Sequence, residues 1–105
     1  MQEQASRVYM KEEIVDYAVS LVGATRNHPL ILRGASPRAT LSVTAMAKAV
    51  AYIQGRDYVV PKDVQAVFVN TVAHRLLMTP EAEAKGITPD SILEQIQSTT
   101  TAPRI

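Results

Sequence analysis

The apolar positions fall into helical stripes separated by turn signals. From about Tyr9 to Thr25, the residues Met10, Ile14, Tyr17, Ala18, Leu21, Val22 and Thr25 recur at intervals of three and four. That spacing predicts one buried helical face. Glu12, Glu13 and Asp16 lie near its start, where the helix dipole favours acids. The segment "RNHPLILRG" then reads as a loop, because Pro29 disfavours helix at His28. A second helix is expected from Pro37 to about Gln54. Ser36 suits its N-cap, Pro37 its first position and Gly55 its C-terminal stop. Its interior is almost wholly apolar or small, with Lys48 the one charge, which predicts a central helix touched on several sides.

After the turn "GRDYVVPKDV", Pro61 opens a third helix to about Leu76, with Val64, Val67, Phe68, Thr71, Val72 and Leu76 on its stripe. Two Thr-Pro starts follow. "TPEAEAKG" predicts a short helix capped by Thr79 and stopped by Gly86. "TPDSILEQIQ" predicts another, capped by Thr88, with Ile92, Leu93 and Ile96 inward. The reading is all-α: a small bundle of about four to five helices with one very short strand pair. That pair is expected between Tyr58–Val60 and the segment near Leu76–Met78. Residues 9–97 form the domain, 1–8 a disordered or linker start, and 98–105 a disordered tail poor in apolar side chains.

Composition narrows the function classes. At 105 residues the chain fits one domain with one modest core. Trp is absent and aromatics make up 5%, so that core rests on Ala, Val, Leu, Ile and Met. Net charge is +1, too weak a field to argue for nucleic acid or a membrane surface. Without cysteine there are no disulfides and no thiolate metal sites. The polar N-terminus "MQEQASRVYMKEE" has no apolar signal core, and no run is long enough to span a bilayer. The expected compartment is the cytoplasm.

Little catalytic chemistry is present. Ser36 in "GASPRA" lacks the G-x-S-x-G spacing of a nucleophile elbow and reads better as a cap. His28 and His74 are far apart and lack ligand-spaced partners, so no metal site is expected. No phosphate-cradling G-x-x-x-x-G-K-[ST] occurs. Arg26, Arg33, Arg38, Arg56 and Arg75 could form a nucleic-acid patch, but acids nearly balance bases and a mixed solvated surface is favoured. Arg38 stands out. It opens a helix, where a cation costs a few tenths to about 1 kcal/mol. Either it snorkels to solvent or pairs with a carboxylate, or it serves an anion drawn by the helix N-terminus, with its fork suited to phosphate.

Four ordered motifs carry a resemblance. "ATR-HP" lies at Ala24–Pro29, "GASPRA" at Gly34–Ala39, "GRDYV-P-DV" at Gly55–Val64 and "AHRL" at Ala73–Leu76. Together, from about Ile14 to Leu77, they resemble the C-terminal lid of MoxR-type AAA+ ATPases. The resemblance implies a helical lid that closes over ATP, bound with magnesium by a separate core. It implies that Arg38 is the second-sensor arginine reaching the γ-phosphate, with Ser36 and Pro37 beside it and Tyr17 and Leu21 near the adenine. Both of these last two could equally be plain core residues. It also implies a chaperone-like role in the maturation of protein complexes. The expected partners are the AAA+ core domain of the same chain, neighbouring subunits in a ring and proteins with von Willebrand A-type domains, with no nucleic acid and no membrane. The P-loop core of such an ATPase is not in this sequence, so the chain is expected to be one domain of a longer protein and inactive alone. Two alternatives remain. One is a free-standing helical interaction module using Val69 and other apolar positions of the third helix; the other is a small DNA-binding helical domain.

Overall fold

A computed structural model describes residues 8–103. Five helices and a two-stranded antiparallel sheet follow in the order α1 (Glu12–Ala24), β1 (Ile31–Arg33), α2 (Arg38–Ile53), α3 (Pro61–Val72), β2 (Leu77–Met78), α4 (Pro80–Ala84) and α5 (Pro89–Thr99). Single 3₁₀ turns, Thr25–Asn27 and Ala73–Arg75, end α1 and α3.

Helix α2 is the centre of the bundle. Its Ala39, Val43, Ala47 and Ala51 are fully buried and stand one turn apart. Three alanines in four positions let α1 and α3 approach its backbone closely. Larger side chains opposite fill the space: Ile14, Leu21 and Val22 from α1, and Val64, Phe68 and Val72 from α3, all fully buried. Ile92, Leu93 and Ile96 of α5 close the same cluster.

Local chemistry fixes the helix ends as expected at most sites. Gly55 takes φ +79° and Gly86 φ +70°, the left-handed stop that glycine adopts without steric cost. The hydroxyls of Thr79 and Thr88 accept from the N–H groups of Ala82 and Ser91, each at 3.2 Å. At α3, where Val60 has no capping group, Asp63 Oδ2 reaches back to accept from the Val60 N–H at 2.9 Å. The same carboxylate takes both Arg56 Nη atoms at 2.7 Å, a bidentate pair that locks the turn between α2 and α3. The hydrogen bond to Asp63 raises the Arg56 pKa above its usual value, against the opposing pull of desolvation.

Two expectations need correction. The β2 segment does form, but its partner is Ile31–Arg33, with Ile31 opposite Met78 and Arg33 opposite Leu77. Tyr58 instead bridges Tyr9 in parallel: the Tyr9 N–H donates to Asp57 O and the Val59 N–H donates to Tyr9 O, both at 2.8 Å. The reason is distance. The 12 residues of α3 span about 18 Å, which carries Leu77 to the opposite end of the bundle from Tyr58. Ser36 makes no side-chain cap; Pro37 takes the cap position in helical geometry and α2 begins at Arg38. Helix α5 continues to Thr99, and Ala102 packs against the core. Val8 is buried, while the rest of the expected linker, residues 1–7, lies outside the described residues.

Candidate functional site

The bundle has two distinct ends. Tyr9 beside Tyr58, and the Arg56–Asp63 pair, join the start of α1, the end of α2 and the start of α3 at one end. At the other, the end of α1 meets the start of α2, and the end of α3 returns beside them. Thr25 is the joint. Its buried hydroxyl donates to Val22 O at 2.6 Å and accepts from the Ala35 N–H at 3.0 Å. Gly34 makes the approach possible, because a Cβ there would lie 2.6 Å from both C and O of Thr25 and 2.7 Å from Arg26 N. Six residues before Gly34, His28 Nδ1 accepts from the Leu30 N–H at 3.1 Å and turns the chain into β1. The spacing of "ATR-HP" and "GASPRA" is therefore the spacing of one folded junction.

Ser36, Pro37 and Arg38 stand exposed on top of this junction. Arg38 makes no ion pair or hydrogen bond among the described residues. Tyr17 and Leu21 lie in the core. Leu21 has no exposed surface and Tyr17 is 4% exposed, with its hydroxyl accepting from Gln65 Nε2 of α3 at 3.1 Å. The structure thus brings Ser36, Pro37 and Arg38 together on the surface and keeps Tyr17 and Leu21 inside.

Arg75 belongs to the same end. Its Nη2 donates to Ser42 Oγ at 3.2 Å, and Ser42 is one turn along α2 from Arg38, on the same face. A shallow groove of about 430 Å³ between α2 and α3 starts there, lined by Ser42, Ala45, Met46, Asn70, Thr71, His74 and Arg75. Arg26 and Arg33 complete the end, one beside Gly34 and the other on β1. No Asp or Glu occurs from residue 17 to 56 or from 64 to 80. Arg26, Arg33, Arg38 and Arg75 therefore all come from stretches of chain without acids. The periodicity of the helices carried no sign of the Ser42–Arg75 contact, which joins residues 33 apart. The acid-free runs in the sequence are the signal that could have found this basic end.

A family model for the AAA lid domain matches residues 23–96. The chain belongs to that family. Its sequence is 35% identical over 103 residues to the uncharacterized protein YeaC of Bacillus subtilis, covering 98% of this chain and 32% of YeaC. It is 35% identical over 114 aligned residues to chaperone MoxR1 of Mycobacterium tuberculosis, covering 100% of this chain and 30% of MoxR1. A crystal structure from Cytophaga hutchinsonii, described as a "putative ATPase", superposes with a TM-score of 0.92 at 33% identity, over 97% of this chain and 34% of that one. The lid is of the MoxR type, and it spans about a third of the length of these relatives. Among its described residues, no helix is long and apolar enough to cross a membrane.

What the lid's exposed end can do chemically is bind an anion. A guanidinium without a carboxylate offers two parallel donors to a phosphate. The residues fit a nucleotide's phosphate end, and they fit its base less well, since Tyr17 and Leu21 offer almost no surface.

Proposed function

We propose that this lid closes over Mg-ATP held by a separate AAA+ core and that Arg38 contacts the γ-phosphate. The observation that carries the reading is the exposed, unpaired Arg38 at the start of α2, on a backbone fixed by the Thr25–Gly34 junction. A rigid base positions a side chain more tightly than a free loop would. Ser36 and Pro37 flank the phosphate, and Tyr17 and Leu21, expected near the adenine, contribute through the packing of α1. Activity then belongs to the assembled protein: the lid senses, and the core holds the nucleotide and metal. Its partners are that core, neighbouring subunits of a ring, and client proteins, those with von Willebrand A-type domains among them, matured in a chaperone-like cycle in the cytoplasm.

The test is steady-state ATP turnover by the longer AAA+ protein that carries this lid. Arg38→Ala should lower turnover by a factor between about ten and 10³, within reach of what arginines contribute at phosphoryl groups. Its melting temperature should not fall, because Arg38 stands where a cation does not stabilise a helix. Arg38→Lys should restore only part of the rate, since a point charge lacks the planar fork. Wild-type turnover by Arg38→Ala would end the proposal.

A second reading, a helical interaction module, rests on different residues from those expected. Val69 is half-buried against the core. The exposed large apolar residues of the central helices are instead on α2: Leu41 and Ile53, each 69% exposed, and Met46. If Leu41→Glu abolished a client contact while ATP turnover persisted in Arg38→Ala, this second reading would replace the first.

A further inference from the structure

Arg75 is the one arginine of the basic end whose guanidinium is tethered to the helix that carries Arg38. Its Nη2–H donates to Ser42 Oγ at 3.2 Å, so it is held one helical turn, about 6 Å, from the Arg38 position. Both arginines are exposed and neither has a carboxylate among the described residues. Helix α5 packs on the Ala73–Arg75 turn and carries Asp90 and Glu94, yet neither pairs with Arg75. A serine hydroxyl uses one donor of the fork and leaves the remaining N–H groups and the full charge free. Two like charges held side by side repel, and the repulsion is relieved when an anion lies between them. A single phosphoryl group is small for two forks a turn apart; a chain of linked phosphates fits that span.

We propose that Arg75 is a second phosphate-contacting residue of the lid, acting with Arg38 on adjacent phosphoryl groups of one polyphosphate. Ser42 is the positioning residue that holds Arg75 toward Arg38. The inference rests on the reading of Arg38 as a phosphate contact and adds a residue to that site. It accounts for the Arg75–Ser42 bond, which joins an exposed side chain to a half-buried one and holds no core together.

The test uses the 105-residue chain and sodium tripolyphosphate at low salt. The arginine Nε–Hε resonances are followed by NMR, and a thermal melt of each variant checks folding. The Arg38 and Arg75 signals should shift together with one apparent affinity. Arg75→Ala should weaken binding about threefold to tenfold, the scale of one charge-assisted contact at an exposed site. Arg33→Ala removes the same charge from the same end and should weaken binding less than twofold. If Arg33→Ala matches Arg75→Ala, only the field matters and the proposal fails. If Arg38 shifts while Arg75 does not, this inference falls and the reading of Arg38 stands. If neither shifts, the inference falls, and the turnover of Arg38→Ala still decides the parent reading. Binding of duplex DNA without binding of tripolyphosphate would overturn it in favour of nucleic acid.

Discussion

Gly34 and Thr25 show how single residues carry the geometry of the exposed end. A methyl group at Gly34 would meet backbone atoms of Thr25 and Arg26 at 2.6–2.7 Å, and backbone cannot rotate aside. Gly34→Ala should therefore separate the end of α1 from the start of α2, costing about 1–3 kcal/mol, as overpacking does. Urea denaturation measures the loss. Thr25→Val keeps the volume and removes the hydroxyl, leaving the buried Ala35 N–H without its acceptor. An unsatisfied buried donor costs about 1–3 kcal/mol. Amide exchange at Ala35 should accelerate in this variant, which separates the lost bond from general loosening. Unchanged exchange at Ala35 would show that the bond does not hold the junction. Neither role was legible in the sequence. Thr25 was placed correctly on the apolar face of α1, but periodicity says nothing of a hydroxyl bonded ten residues ahead.

Helix ends were legible where the signal is local. Thr79 and Thr88 cap, and Gly55 and Gly86 stop, because each acts within about four residues of itself. Ser36 was misread because Pro37 can turn into helical geometry ahead of Arg38 without a side-chain cap. The strand pair was half legible: Leu77–Met78 was marked, but its partner depends on where α3 delivers the chain. The start of α3 depends on Asp63, which serves Val60 and Arg56 at once. Asp63→Ala should cost at least the ~1 kcal/mol typical of a lost helix cap, because the Val60 N–H loses its acceptor. The Arg56 contribution has a definite sign with pH. Its pKa is raised by folding, so its stabilisation is complete below the ordinary arginine range and is lost only as pH climbs through the raised value. Arg56 should thus add no pH dependence to stability at neutral or mildly alkaline pH. A melt series from pH 7 to about 9 on wild type and Arg56→Gln should show a constant gap between the two. A gap that closes across that interval would contradict the assignment.

At the scale of the whole molecule, the buried side chains form one continuous cluster that includes residues from α1, α2, α3, α4 and α5. Helices α1, α2 and α3 pack pairwise on one another, so none of these three could keep its apolar face covered if another left. Phe68 sits at full burial in that cluster, and truncating a buried Phe costs about 3–5 kcal/mol. The total stability of a domain this small is about 5–15 kcal/mol. The 105-residue chain should therefore unfold in one cooperative step, and Phe68→Ala should remove a large share of its stability and lower its melting temperature. Hydrolysis is a separate matter, and the same molecule explains why. The sequence has no phosphate-cradling G-x-x-x-x-G-K-[ST] to hold the triphosphate. A single calorimetric transition, with phosphate release from ATP no faster than the buffer blank, is the expected pair of results. Two transitions would mean that the cluster is divided. Release that purifies with the chain and survives Arg38→Ala would mean that chemistry resides in the lid itself. The sensing role proposed for Arg38 needs no chemistry in the lid itself, only an exposed guanidinium beside the packed Thr25–Gly34 junction.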